Sequence, residues 1–309
     1  MFHVGYEGHE TYATSSAARS TTMPQIPASS LSPSSELALV DEYPPAEFIN
    51  IRALKEVVAS KRKELHEGAQ DQYLSFRHVT SEDFATIKAR RVEIMGRGPA
   101  FFYLGDIETL IIKFPTRAHE KAHATLGQRI QLKVFRMGIA FREFTAVNAT
   151  AMKGGINSEM EGDTSWINQR LRPNKTDWPN LVIEAGMSEP FIRLQNDAKW
   201  WIQNSAGDVL IILVVWIRPT IKKVKIEKWI PASAQPLRRS AGLNLPQVLP
   251  TKVADIEIDQ SSTSVCHGAP LLLEFDRVFG RPPQQPLEHD IVFTQQELED
   301  WARDLWVGI

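Results

Sequence analysis

Apolar and polar positions alternate along this chain with two periods, one near three and a half residues and one of two. Within the charge-rich segment from Glu47 to His66, Leu54, Val57, Val58 and Leu65 recur at helical spacing and predict a surface helix. Thr80-Ser81-Glu82-Asp83 supplies an N-cap and an acidic first turn to a second helix carrying Phe84, Ile87 and Ile94, which Gly96 stops. Two β-prone runs, Phe101 to Leu104 and Glu108 to Phe114, flank Gly105-Asp106 and predict a hairpin. Pro115 ends the second run. Ala122, Leu126, Ile130, Val134 and Met137 then mark an amphipathic helix from Ala118, closed by Gly138.

The pattern then turns to strands. Ile139 to Val147 reads as one, and Ser158 to Ile167 as a short one bent around an acidic turn that includes Asp163. Leu181 to Gly186 is apolar on both faces, the mark of a central strand, and carries Glu184 in its middle. Ser188 is placed to cap a helix from Pro190 to Gln203. Trp200 and Trp201 are neighbours there, so they cannot share one face; one must be partly exposed or lie against another element. Asp208 to Ile217 is a buried strand, and Val224 to Ile230 alternates like an edge strand. Ala232 to Gln260 is Pro-rich and polar and reads as a linker. Pro270 to Phe279 reads as a strand, and a capping box of Thr294 and Glu297 opens a helix that reaches Val307.

Composition narrows the class. The chain has 309 residues, 43% of them hydrophobic, and a net charge of −2 from 35 Lys+Arg and 37 Asp+Glu. That is enough chain for a sizeable core, and the balance excludes a generally basic nucleic-acid binder while permitting a local patch. The single cysteine, Cys266, rules out an internal disulfide or a Cys-based zinc finger. The longest apolar run, Val209 to Ile217, is half of a membrane span, and the N-terminus lacks the basic and apolar regions of a signal peptide. An intracellular protein, cytoplasmic or nuclear, is expected. Over half of the residues from Thr11 to Glu36 are Ser, Thr or Pro, which predicts a disordered tail over residues 1–45. The remaining divisions are N-terminal helices and hairpin (46–114), a core (115–230), and a linker with a C-terminal extension (231–309).

From Ala118 the elements run helix, three strands, helix, strand, the αβββαβ order of the PD-(D/E)XK nuclease fold. The segments Trp178 to Ser188, Leu194 to Trp201 and Asn204 to Val209 resemble a group of fungal proteins similar to the bacterial Uma family of restriction endonucleases. Ile111 to Pro115, His119 to His123, Ile226 to Trp229 and Glu288 to Ile291 belong to the same pattern. The likeness runs from about Ser81 to Trp229 and returns in the last forty residues. It implies an α+β protein with a restriction-endonuclease-like core, a mixed central sheet, and Mg²⁺-dependent phosphodiester hydrolysis. Asp163 and Glu184 would be the oxygen ligands that Mg²⁺ requires. The third-strand motif lysine is missing, because position 186 is Gly; Lys199 on the following helix is the candidate for its charge-stabilising role, and Glu120 for an accessory acid. Asp197, two residues before Lys199, falls on another face of that helix.

Other readings remain open. Asp163 suits an ordinary turn after Gly162, Glu184 a structural ion pair, and Lys199 a solvated helix surface. With Gly186 in place of the lysine, an inactive core serving as a protein or nucleic-acid interaction module is the second reading. The third is a zinc peptidase, because His119-Glu120-Lys121-Ala122-His123 is a literal HExxH; the third ligand it needs could be Glu143, twenty residues past His123, though on a predicted strand where the peptidase pattern wants a second helix. Arg117, Lys121, Arg129, Lys133, Arg136 and Arg142, with Lys222, Lys223, Lys225 and Lys228, could form phosphate-contacting stripes or solvated faces.

Overall fold

The computed structural model describes residues 31–148, 150–187, 190–233 and 248–309. The expected N-terminal tail lies outside the described residues up to residue 30, but order begins before Ala46: a short helix α1 (Ser34–Ala38) buries Leu37 and Ala38. Strand β1 (Ala46–Glu47) leads into α2 (Ile51–His66), whose N-cap Asn50 accepts a hydrogen bond from the Ala53 amide. After β2 (Tyr73–Arg77) come α3 (Ser81–Ala89) and α4 (Arg91–Met95). Thr80 and Asp83 form the expected capping box, but one continuous helix to Gly96 does not form. The break at Arg90 lets Arg91 reach Glu161 at 2.7 Å. The hairpin follows, β3 (Ala100–Leu104) and β4 (Thr109–Lys113) around a 3₁₀ turn.

Next comes α5 (Arg117–Arg136), capped by Thr116, and then β5 (Thr145–Ala146), β6 (Ala151–Lys153), β7 (Ser158–Glu161), β8 (Thr164–Ile167) and β9 (Leu181–Met187). The strand expected over Ile139 to Val147 shrinks to β5, because Phe141–Glu143 turns as a 3₁₀ helix. The bent strand around Asp163 is two strands belonging to different sheets. Gly162 and Asp163 form the crossing. Helix α6 (Phe191–Asn204) starts from Pro190, and Ser188 lies outside the described residues. The rest is β10 (Ile211–Arg218), β11 (Lys223–Ser233), β12 (Val248–Asp259), β13 (Val265–His267), β14 (Leu271–Leu273), α7 (Phe275–Phe279), β15 (Ile291–Phe293) and α8 (Gln295–Leu305).

These elements make a mixed α+β fold. One sheet has the order β1-β2-β4-β3-β7-β6, a second β13-β12-β11-β10-β9-β8-β5, and a small one pairs β14 with β15. Strand β9 is interior and buried throughout, parallel to β10 and antiparallel to β8. Alternation then sorts its side chains. Leu181, Ile183, Ala185 and Met187 join a core shared with α5 and α8, whereas Val182 joins one shared with α6 and the N-terminal hairpin. Glu184 therefore points to the α6 side, between the two sheets.

Helix α6 fills that space, which explains why most of it is buried, with the face of Ile192, Gln195, Lys199 and Gln203 open or partly open. Trp200 and Trp201 are both buried; Trp200 meets Phe102 of the hairpin edge-on, so it lies against another element. Two expectations are corrected in the second sheet. Strand β11 is interior, between β10 and β12, and the supposed linker holds the twelve-residue β12. Charged side chains that looked solvated pair across the ladder, Lys225 with Asp255 and Glu257 and Lys223 with Asp259. The expected strand from Pro270 is β14 followed by α7. The C-terminal helix forms with its Thr294–Glu297 capping box. No described helix is long and apolar enough to cross a membrane.

Candidate active site

Asp163 is held where the chain passes from one sheet to the other. Gly162 before it has no room for a side chain: a Cβ there would stand 3.0 Å from Trp201 Cζ2 and 3.3 Å from Glu184 Oε1. This close packing sets Asp163 beside β9, where its Oδ2 accepts the Ala185 amide at 2.7 Å. The same oxygen lies 2.7 Å from Lys113 Nζ at the end of β4 and 3.0 Å from His119 Nε2 in the first turn of α5. Lys113 Nζ is also 3.6 Å from Glu184 Oε2, and Trp201 Nε1 donates to Glu184 Oε1 at 2.7 Å. Four elements thus bring one lysine, one histidine and two carboxylates to one point.

Their electrostatics divide the two acids. Burial works against the charge of Asp163, yet His119 and Lys113 outweigh it and hold the carboxyl well below its usual range. Glu184 is pushed well above its own range, by burial first and by the neighbouring Asp163 charge second. Asp197 on α6 is buried nearby and is pushed up to about 7 by burial, against the pull of Lys113 and Arg193. Burial opposes the Lys113 charge, but Asp163 and its acidic neighbours hold the ammonium well above its usual range. The centre therefore carries a firm Lys113–Asp163 ion pair, with Glu184 the more readily protonated of the two acids.

Lys113, His119, Glu120, His123, Asp163 and Thr164 line one cleft of about 410 Å³. Glu184 lies behind it, reached through Lys113 and Asp163. Glu120 is half-exposed; hydrogen bonding to His119 and then His123 lowers its carboxyl to about 2. Its Oε1 is 3.5 Å from His119 Nδ1 and its Oε2 3.5 Å from His123 Nε2. Among the described residues, His119, Glu120 and His123 form a group able to hold a metal ion.

The four residues expected from sequence do not all meet. Asp163 and Glu184 flank the Lys113 ammonium, and Glu120 stands beside His119 at the cleft. Lys199 does not join them: its ammonium lies 3.0 Å from Asn196 Oδ1 and 3.7 Å from Glu36 Oε1, so it faces α1. Asp197 has the inward face of α6 instead, as residues two apart on a helix point differently. Lys113, and not Lys199, is the lysine beside the two acids. A signal for it existed: Leu110-Ile111-Ile112-Lys113 sets one cation in an apolar run, just as Leu181-Val182-Ile183-Glu184 sets one anion in another.

Glu143 is remote from the two histidines in its bonding. It pairs with Arg170 at 3.0 Å and Arg281 at 2.7 Å, which removes the third ligand of the peptidase reading. Much of the basic stripe is also engaged. Lys121 donates to the Asp304 and Val307 carbonyls, Arg129 pairs with Asp304, Lys133 with Glu297, and Lys228 with Glu274.

No family model matches the chain, and no curated protein matches it. Among solved structures it is similar to a DUF820 protein from Anabaena variabilis ATCC 29413, provisionally assigned as a nuclease. The identity is 13%, over 66% of this chain and 92% of that one, with a TM-score of 0.34.

Proposed function

We propose that the chain is a phosphodiester hydrolase of the PD-(D/E)XK type, a nuclease, with Asp163, Glu184 and Lys113 as its centre. The observation that carries this reading is the single Lys113 ammonium lying 2.7 Å from Asp163 and 3.6 Å from Glu184. It supplies from β4 the amine that Gly186 cannot supply from β9. The succession α5, β5, β8, β9, α6, β10, with sheet order β5-β8-β9-β10, supports an αβββαβ core; β6 and β7 are an excursion into the other sheet.

The donor set fits a hard divalent cation such as Mg²⁺, because two carboxylates converge on one positive charge. Asp163 and Glu184 would hold it, and when bound it lowers the pKa of a water and polarises the phosphoryl group. Lys113 supplies the fixed positive charge for the phosphate oxygens. The Ala185 amide and His119 keep Asp163 in place, and Trp201 orients Glu184. The cleft beside them gives the scissile group access, with Glu120 at its edge.

A second reading has its own observation. Lys113 already neutralises the acid pair, and Glu184 is sealed behind it at 1% exposure, as in a core kept for binding rather than catalysis. The test is cleavage of single- and double-stranded DNA and RNA by the full chain with Mg²⁺. The nuclease reading expects cleavage of at least one substrate, falling at least about 100-fold in Glu184→Gln, Asp163→Asn and Lys113→Ala. No cleavage by the wild type, or cleavage indifferent to Glu184→Gln, overturns it in favour of the interaction module.

A further inference from the structure

We propose that His119, Glu120 and His123 form a site for a borderline first-row divalent cation of the zinc class, separate from the Asp163–Glu184 pair. Both histidines are almost fully buried, at 2% and 6% exposure. His119 Nδ1 and His123 Nε2 are buried atoms whose nearest acceptor is the Glu120 carboxylate, beyond the reach of a well-formed hydrogen bond, and His119 Nε2 is likewise without a well-formed one; a bound cation relieves this costly condition at the two nitrogens that face Glu120. Each of them faces the Glu120 carboxylate, His119 Nδ1 at 3.5 Å and His123 Nε2 at 3.5 Å. Donors that share a tetrahedral zinc at bonds of about 2.1 Å stand about 3.4 Å apart; the two histidine-to-Glu120 spacings match this, each to its own carboxylate oxygen, and the three ligand atoms all lie within 4.8 Å of one another, so small side-chain adjustments close the set.

The far nitrogens point to the same use. His123 Nδ1 lies 2.7 Å from Thr164 Oγ1, and His119 Nε2 lies 3.0 Å from Asp163 Oδ2. A metal-bound histidine characteristically gives its other nitrogen to an oxygen that fixes the ring and the tautomer. His123 has that support from Thr164, His119 has the Asp163 carboxylate beside its far nitrogen, and in each ring the other nitrogen faces Glu120. Two imidazoles and one carboxylate suit zinc, cobalt or ferrous iron better than Mg²⁺, which takes an all-oxygen shell. Three protein ligands leave a fourth position open, as in exchangeable and catalytic zinc sites. All three residues line the 410 Å³ cleft. Glu120 serves as a ligand in this arrangement and not as the base of a peptidase. The site stands whether or not the neighbouring acid pair cleaves phosphodiesters.

The test is titration of the metal-free full chain with Co²⁺, followed by its visible absorption, and with Zn²⁺ against a chromophoric chelator. One tightly bound ion per chain is expected at this site, retained in Glu184→Gln, with the intense bands of low-coordinate cobalt. His123→Ala and Glu120→Gln should each weaken binding at least about tenfold. Glu120 is half-exposed, so Glu120→Gln preserves the fold even if His123→Ala does not. Glu184→Gln should leave the affinity unchanged. Zn²⁺ should raise the melting temperature of the wild type and not of Glu120→Gln. The proposal is overturned if the wild type binds neither ion, if Glu120→Gln binds as tightly as wild type, or if Glu184→Gln abolishes binding and Glu120→Gln does not.

Discussion

Lys113 Nζ and Asp163 Oδ2 stand 2.7 Å apart although the residues lie 50 positions apart in the chain, and each side chain is almost wholly buried. Removing one partner of such a pair leaves the other charge in a poor solvent. Lys113→Ala should therefore cost about 3–5 kcal/mol, far more than a surface ion pair. The pair should behave as a unit. In urea denaturation, adding Asp163→Asn to Lys113→Ala should cost much less than Asp163→Asn alone. Additive losses would show that the two groups do not neutralise one another.

Asp197 gives a pH dependence of definite sign. Its carboxyl is pushed up to about 7, above the usual value, so between about pH 4 and 7 this group binds more protons in the folded chain than in the unfolded one. Its contribution is full below pH 4 and is lost as the pH rises through 7. Asp197→Asn should thus be more favourable relative to wild type at pH 8 than at pH 4.5, by on the order of 1–3 kcal/mol. Melting curves across that range check it; an offset independent of pH would refute it.

Gly127 sits in α5 beneath Trp166, and a Cβ there would come within 2.7 Å of Trp166 Cη2. Two effects compete in Gly127→Ala. Helix propensity gains about 1 kcal/mol, and overpacking costs about 1–3 kcal/mol. Trp166 is buried and stacked on Phe144 at 5.4 Å, so it cannot yield freely and the cost should win. A net destabilisation of about 1–2 kcal/mol is expected by thermal denaturation. A higher melting temperature would show that Trp166 can move.

Helix α8 is held to α5 by both ion pairs and apolar contact, and the two should differ greatly in weight. Arg129 and Asp304 pair at 2.6 Å with Asp304 largely in water and Arg129 partly so, and Arg129→Ala should cost less than about 1 kcal/mol. Trp301 is fully buried and its Nε1 donates to Thr125 Oγ1 at 2.9 Å. Trp301→Ala should cost about 3–5 kcal/mol. Equal effects in denaturation would contradict this ranking.

What the sequence disclosed follows from how local the causes were. Capping boxes at Thr80 and Thr294 act within four residues, and both formed. Glu184 stood out because a carboxylate inside an apolar strand demands a partner. Strand β12 was hidden because its charges, Asp255 and Glu257, are satisfied by Lys225 on a neighbour that its own composition does not reveal. Lys113 was hidden for a related reason. Its partners arrive only when two sheets meet around α6, an event with no periodicity along the chain. Lys199 faces α1 while Asp197 faces the interior, because residues two apart on a helix point in different directions.

The crossing at Gly162–Asp163 has a consequence for dissecting this protein. The acids belong to the stretch after Pro115 and their cation to the stretch before it. Severing the chain at that proline would produce one piece with unbalanced buried carboxylates and another with an unbalanced buried amine. Neither piece is a miniature of the whole, so residues before Pro115 count as part of the working protein and not as an ornament on it.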